Sequence, residues 1–308
     1  MPVSFSPEKK APLLHLWQAQ SSAMRGAIMM ILSTLCFAVM HAAVRHVSQS
    51  LPPFQVAFFR NLFGLMFLLP ILAAGGFAQL RTNRIGLHAL RGVINIAAML
   101  MFFTAVSTTP LAKVTALSFT APIFAAALSV LVLRERFRAH RWSALVAGFI
   151  GMLIVLRPGF AVVETGALLA VSAAALWSVA MIIIKMLSRT ESSVAIVAWM
   201  GIFLCAFSIG PALWVWQPIV GMAWFWLVFI GLTGSLAQVS LSQALKETDT
   251  TAVLPYDFLK LIWTALLGAW LFGEIPDQYT FIGAGVIFSA SLYIAHRERR
   301  RAQGQENL

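Results

Sequence analysis

Charged residues are scarce in this sequence. Asp, Glu, Lys and Arg together make up 11% of its 308 residues, whereas soluble domains are about 25% charged. A soluble fold needs charged side chains over most of its surface, so this composition excludes an ordinary soluble domain. The hydrophobic share of 60% and the mean hydropathy of +0.84 indicate an integral membrane protein instead.

Cysteines and catalytic motifs are also scarce. The two cysteines, Cys36 and Cys205, both lie in apolar segments, so neither a disulfide framework nor a zinc site is expected. The sequence contains no H-E-x-x-H, no glycine-rich phosphate loop and no G-x-S-x-G. We therefore expect no enzyme activity, no cofactor, no metal and no direct use of ATP.

Long apolar runs are abundant. Windows of about 20 apolar residues predict an all-α integral membrane protein with ten transmembrane helices. The predicted spans are 24–47, 53–74, 86–107, 110–133, 140–156, 165–187, 193–216, 221–244, 251–272 and 278–295. Ten spans place both termini on the same side of the bilayer.

The basic residues fall mostly on that same side. Of the 22 Lys and Arg residues, 17 lie there, and only Arg45, Lys113 and Arg157 lie on the opposite side. The positive-inside rule makes the basic side cytoplasmic, so the segments 1–23 and 296–308 are predicted to be cytoplasmic. The net charge of +11 is therefore a topology signal, and the expected partner is the lipid bilayer rather than a nucleic acid.

The chain contains an internal repeat. A shift of 139 residues aligns 105–137 with 244–276 without a gap, and eight positions coincide, Phe119 and Phe258 among them. A shift of 140 aligns the first spans of the two halves. Two five-helix repeats, 24–156 and 165–295, are therefore predicted. Because five is odd, the second repeat must enter the bilayer in the opposite sense, as in many secondary transporters.

The segment "PLAKVTALSFTAPIFAAALSVLVLRER" starts at Pro110. Its apolar span ends in Glu135, and Glu274 follows the matching span of the second half. With two five-helix halves and a length near 300, the chain resembles the EamA family of the drug/metabolite transporter superfamily. The resemblance implies a secondary carrier of a bacterial inner membrane, exporting small amino-acid-like or amphipathic metabolites through a central cavity. The alternative is an uptake carrier or exchanger for a nucleoside-, vitamin- or S-adenosylmethionine-like metabolite, and a homodimer is also open.

Polar side chains within the spans are the candidate cavity residues, because charges in hydrocarbon are costly. Arg60 would bind an acidic group of the substrate, or else it snorkels to the surface or ties helices together. Asp257 and Lys260 lie on one helix face and form either a structural ion pair or, with Tyr256, a substrate contact. In the first half their aligned positions hold Ser118 and Ala121, so these charges belong to one half only.

Aromatic residues provide a second group of candidates. Phe37 and Trp177 occupy aligned positions in spans one and six and would reach the space between the halves. Together, Trp177, Trp199, Trp263 and Tyr256 would form a stacking surface for a flat or amphipathic substrate. The alternative is ordinary packing. His41 is either an interior histidine or a proton relay, and Asp257 is the other candidate for proton coupling.

Prolines mark the expected bends. Pro70 and Pro211 lie nearly one repeat apart in spans two and seven, and Pro122 and Pro255 lie in spans four and nine. Each is predicted to kink its helix, because proline removes a backbone hydrogen bond. Arg91, close to the cytoplasmic end of span three, is expected to snorkel to the surface.

Overall fold

The computed structural model describes residues 20–75, 81–133, 139–157, 164–187, 190–191, 193–247 and 256–305. These residues form helices and no strand. The helices are α1 (Ser22–Val47), α2 (Pro53–Gly75), α3 (Ile85–Thr108), α4 (Leu111–Ser118), α5 (Ala121–Leu133), α6 (Ala139–Leu156), α7 (Thr165–Leu187), α8 (Ser193–Trp214), α9 (Ala223–Glu247), α10 (Leu259–Phe272) and α11 (Gln278–Gln305). Helices α4 and α5 share the predicted fourth span.

Many of these helices are fit to cross a bilayer. Within the described part of the chain, six are long and apolar enough by length and composition, namely α1, α2, α3, α7, α8 and α9. Shorter apolar helices occupy the predicted spans four, five and nine. An apolar helix satisfies its own backbone hydrogen bonds, which is the requirement for crossing lipid. The prediction of an all-helical, multi-pass membrane protein is confirmed.

Side-chain contacts identify two opposite ends of the helical bundle, which we call the lower end and the upper end. The lower end contains the start of α1, where Arg25 pairs with Glu247 at the end of α9 at 2.8 Å. The upper end contains the end of α1, and Gln55 at the start of α2 exchanges two hydrogen bonds with the backbone of Gln217, just before α9. Helix α9 therefore runs from the upper to the lower end, opposite to α1.

The helices of the two halves pair in a regular way. Helix α1 packs on α9 and α3 packs on α7, while α2, α4 and α6 pack on α8, α10 and α11. Exchanging each span for its counterpart in the other half leaves this set of pairings unchanged, because α4 belongs to span four and α10 to the matching span nine. The main packing surfaces thus lie between the halves, and the space at their centre is bounded by both.

The fourth and ninth predicted spans are interrupted at matching positions. Phe119 and Thr120 form a turn between α4 and α5, and Phe258, which aligns with Phe119, forms a turn immediately before α10. The rings of Phe119 and Phe258 are 5.9 Å apart. Both interruptions therefore lie next to each other, where the halves meet.

The four predicted kinks have different outcomes. Pro70 and Pro211 lie inside α2 and α8. Pro122 is the second residue of α5, so the prediction of a kink within one helix is wrong there. The helix has already ended at Ser118, and a residue without an N–H fits the first turn of a new helix. Pro255 lies outside the described residues.

Candidate functional site

A cavity of about 420 Å³ lies between the two halves. It is bounded by α1, α2, α3, α7, α8 and α9 together with the interrupted spans four and nine. Its lining residues are Met30, Phe37, Met40, His41, Arg60, Asn95, Met99, Phe102, Phe103, Ser118, Trp177, Met200, Leu204, Gln238, Leu241, Leu245, Asp257 and Lys260. A more open groove between α6 and α11 carries no charged side chain.

Both halves contribute equivalent positions to this cavity. Phe37 and its aligned residue Trp177 both line it, as do Ser118 and its aligned residue Asp257. The two halves therefore contribute different side chains to the cavity at these aligned positions.

The cavity extends toward the lower end. Met30 in the first half of α1 and Leu241 and Leu245 in the last turns of α9 belong to its lining. These are apolar side chains, so the lower part of the cavity has a hydrophobic lining below the polar centre.

At the upper end, polar contacts close the space between the halves. Arg45 donates to the carbonyl oxygens of Val106 and Thr109 at 2.9 and 2.7 Å and forms an ion pair with Glu274. Glu274 also accepts a hydrogen bond from the backbone N–H of Leu111 at 2.9 Å. One carboxylate after α10 thus holds the end of α1 and the start of α4 together.

Two further ion pairs add to this seal. Lys113 in α4 binds Glu164 before α7 at 3.1 Å, and Arg157 after α6 pairs with Asp277 before α11. Each pair joins a residue in or directly after the first half to a residue just before a helix of the second half. We call these contacts, with Arg45–Glu274 and Gln55–Gln217, the upper seal.

Aromatic rings form one continuous wall of the cavity. The Phe37 ring lies 6.2 Å from that of His41, which is 5.0 Å from Phe102, and Phe102 is 5.0 Å from Trp177. His41 is 7% exposed, and its Nδ1 has no hydrogen-bond partner. Four rings from three helices, tilted against one another by 30° to 59°, thus line one side of the cavity, and another ring can pack against their faces and edges.

The polar groups face the same space. Arg60 in α2 donates from Nη1 to the side-chain oxygen of Asn61 at 3.0 Å, while its Nε is buried without a partner. Lys260 in α10 lies 3.5 Å from Asp257 and 4.9 Å from the centre of the Phe119 ring. Asn95 in α3 also has a buried side-chain nitrogen without a partner. Such donors are suited to an acceptor on a ligand.

Most of the sequence-predicted candidates surround the cavity. Phe37, His41, Arg60, Trp177, Asp257 and Lys260 line it. Tyr256 and Trp263 are not part of the lining: Tyr256 is 37% exposed, and Trp263 lies one turn beyond Lys260, toward the upper end. Their assignment to the cavity is corrected accordingly.

Sequence reasoning missed several lining residues. Asn95 is the clearest, because it is a lone amide within an otherwise apolar stretch of α3. Met30, Met99 and Met200 gave no signal, since methionine is also common in ordinary cores.

The expectation that Arg91 snorkels to the surface is also corrected. It is 5% exposed and donates to the carbonyl oxygen of Ile196 and to the sulfur of Met200, each at 3.0 Å. It does not snorkel, because α8 packs on α3 there and supplies acceptors within the protein.

Comparison with known proteins shows which transporters this chain resembles. Residues 24–157 and 164–295 match the EamA-like transporter family. The chain is 32% identical over 284 residues to a riboflavin transporter of Rhizobium johnstonii, covering 91% of this chain and 94% of that protein. It is 31% identical over 256 residues to an S-adenosylmethionine uptake transporter of Rickettsia felis, covering 83% and 87%.

Other similarities point the same way. The chain is 27% identical over 281 residues to a pseudopaline exporter of Pseudomonas aeruginosa, covering 89% of this chain and 97% of that protein. A solved crystal structure shares the fold with a TM-score of 0.61 at 19% identity, covering 91% of this chain and 98% of the other. With two family matches that together span most of the chain, this protein belongs to the EamA-like transporter family.

Proposed function

We propose that this protein is a secondary carrier that moves a small metabolite with a planar ring through the central cavity by alternating access. The observation that carries the proposal is a cavity with aromatic and polar walls between the two halves, closed at one end by the upper seal. Small-molecule sites typically combine apolar or aromatic walls with a few placed polar groups. A carrier must expose such a site to each side in turn.

The proposed membrane arrangement is two inverted five-helix repeats, 24–156 and 165–295, in a bacterial inner membrane. The opposite directions of α1 and α9, and pairings that survive exchange of the halves, support it. The distribution of basic residues supports a cytoplasmic position for the lower end and both termini. In this conformation the upper seal would close the cavity to the exterior.

The proposed substrate class is a vitamin- or nucleoside-like ring compound. The wall of Phe37, His41, Phe102 and Trp177 supports a flat ligand, and similarity to riboflavin and S-adenosylmethionine transporters supports the same chemistry. Because the relatives include uptake and export proteins, the proposal leaves the direction to the gradients that drive the cycle.

An amino-acid-like metabolite is the second candidate. Arg60 and Asp257 on the cavity wall would bind a carboxylate and an ammonium group. The earlier expectation of proton coupling through Asp257 or His41 stays a prediction.

Trp177→Ala tests the proposal. In proteoliposomes, we expect wild-type protein to transport riboflavin and Trp177→Ala to lose about tenfold or more of that flux, because base–aromatic stacking is worth about 1–3 kcal/mol per ring in other systems. Trp270→Ala is the matched control, since Trp270 is 80% exposed on α10 outside the cavity lining. Phenylalanine serves as the competing amino-acid probe.

Equal loss in both tryptophan variants would contradict a stacking role for Trp177. Transport of phenylalanine but not of riboflavin would replace the ring-compound proposal by the second candidate.

A further inference from the structure

The charged groups on the cavity wall do not balance. Arg60, Lys260 and Asp257 are the charged residues among the described lining, two cations and one carboxylate. In a low-dielectric interior an unbalanced charge acts strongly on any ligand that displaces water from it.

The excess positive charge lies mainly at Arg60. Its Nη1 binds the neutral amide of Asn61, its Nε has no partner, and no carboxylate pairs with it among the described residues. The arginine cannot release its proton. It therefore needs an anion or an electron-rich acceptor, and the cavity in front of it is where a ligand would supply one.

Asp257 does not compensate Arg60, because it is paired with Lys260. The two lie one helical turn apart at 3.5 Å, and Lys260 is further held over the rings of Phe119 and Phe37, at 4.9 and 6.0 Å from their centres. These rings attract the ammonium group without adding net charge. The Lys260–Asp257 pair is thus neutral as a unit.

Unsatisfied donors also lie on this wall. The Arg60 Nε and the Asn95 side-chain nitrogen are both buried, and neither has a hydrogen-bond acceptor among the described residues. A ring carbonyl or ring nitrogen would accept from them, whereas an ammonium group has no lone pair and the positive charge of a sulfonium group makes it no acceptor for a cationic donor. The unpaired donors and the net positive charge of the wall therefore both favour neutral or anionic ligands that are rich in hydrogen-bond acceptors.

We infer that the cavity selects its ligand by charge, accepting neutral or anionic acceptor-rich ring compounds and rejecting cationic ones, with Arg60 as the specificity-determining residue and the Lys260–Asp257 pair keeping the net charge of the wall at one positive unit. The inference rests on the proposed function and narrows it to flavin-like rather than S-adenosylmethionine-like substrates. Sequence identity does not separate these two substrate classes, because the riboflavin transporter is 32% and the S-adenosylmethionine uptake transporter 31% identical to this chain. Discrimination by a repulsive group is a general route to specificity.

The test is a set of binding titrations on the purified full-length protein in detergent. The probes are riboflavin, flavin mononucleotide and S-adenosylmethionine. Binding of each probe is measured by the thermal stabilisation of the protein and by the change in its tryptophan fluorescence. We expect wild-type protein to bind both flavins at least about tenfold more tightly than S-adenosylmethionine, a difference of about 1.4 kcal/mol.

Two variants should move this ratio in opposite directions. Lys260→Gln makes the wall neutral and should narrow the preference at least about threefold. Asp257→Asn leaves two cations and should widen it by a similar factor. Lys113→Gln is the control, because Lys113 pairs with Glu164 in the upper seal and does not line the cavity; it should leave the ratio unchanged.

Each other outcome is informative. Equal binding of all three probes, or tighter binding of S-adenosylmethionine, would overturn charge selection while leaving a ring-compound carrier intact. A ratio that shifts in the same direction for Lys260→Gln and Asp257→Asn would also overturn it. Failure of every probe to bind the wild-type protein would instead reject the proposed function and, with it, this inference.

Discussion

Individual polar residues in this protein act through the partner that the fold brings to them. Arg45 is locked into the upper seal by two carbonyl oxygens and Glu274, whereas Arg60 faces the cavity and pairs with no carboxylate of the described residues. The sequence shows both as arginines near or within apolar segments. The ion pair with Glu274 gives Arg45 a structural role, and no such pair among the described residues gives one to Arg60. Arg60 is therefore the better candidate for ligand binding.

Asp277 provides a pH-dependent contribution to stability. It caps α11 by accepting from the backbone N–H of Thr280 at 2.7 Å and pairs with Arg157. Partial burial acts to raise the pKa of its carboxyl, but the hydrogen bonds from Thr280 and the charge of Arg157 outweigh burial and hold the pKa below 3.8, its ordinary value.

Asp277→Asn should therefore destabilise the protein at neutral pH and lose that effect in acid. A carboxylate with a lowered folded-state pKa stabilises fully above the unfolded value, and this stabilisation is lost as the pH falls through the folded value. We expect the unfolding temperatures of wild type and variant to differ at pH 6, the difference to begin to shrink below about pH 4, the unfolded-state value, and to vanish only below the lowered folded-state pKa. A constant difference across that range would contradict the assignment. The magnitude will be small, because the pair is partly exposed to solvent.

At the scale of helices, close contact and interruption have separate roles. Helices α6 and α11 cross at Gly151 and Gly283, where a Cβ built on Gly283 would lie 2.6 Å from the Gly151 carbonyl oxygen. Glycine allows the two backbones to approach this closely. That these two glycines meet follows from the fold.

Gly283→Ala should destabilise the protein by about 1–3 kcal/mol, the usual cost of overpacking, because the added methyl group meets backbone that cannot turn away. Gly285→Ala on the same helix is the control, since a Cβ there has no atom within 4 Å. Thermal unfolding in detergent measures both. Equal stability of the two variants would show that α6 and α11 separate without cost.

The helix interruptions were predicted only in part. Prolines in spans four and nine suggested bending at corresponding places, and the turns do occur at Phe119 and its aligned residue Phe258. What the pattern did not reveal is that span four ends and restarts rather than bends. The loss of one hydrogen bond at Pro122 permits either result, and the packing of α4 on α10 and of α5 on α7 decides between them.

At the scale of the whole molecule, the upper seal defines the conformation. Its contacts join the first half to residues that follow it, while the cavity extends toward the lower end. If the halves rock about the cavity, these contacts must break when the upper end opens. Glu274 is the residue whose loss should weaken the seal most, because it holds both Arg45 and the start of α4.

Cysteine labelling tests this conformational assignment. In a background with Cys36 and Cys205 replaced by alanine, Ser118→Cys places a thiol on the cavity wall. A membrane-impermeant maleimide should label it from the cytoplasmic side and much less from outside. Adding Glu274→Gln should raise outside labelling several-fold.

Glu247→Gln is the matched control for that experiment. Glu247 pairs with Arg25 at the lower end, so its loss should not increase labelling from outside. Strong outside labelling without any change at Glu274, or an equal effect of Glu247→Gln, would contradict the seal.

Composition and periodicity were sufficient for the membrane class, the helical fold, the repeat and several intramembrane charges, because hydropathy and residue spacing are local properties of the chain. Packing alone decided that Asn95 and four methionines line the cavity, that Arg91 is buried on α8, and that Arg45 meets Glu274 across 229 positions of sequence. Which helix faces meet depends on contacts between residues far apart in the chain. No short pattern encodes those contacts, and they separate a charge held in an ion pair from one that a ligand can reach.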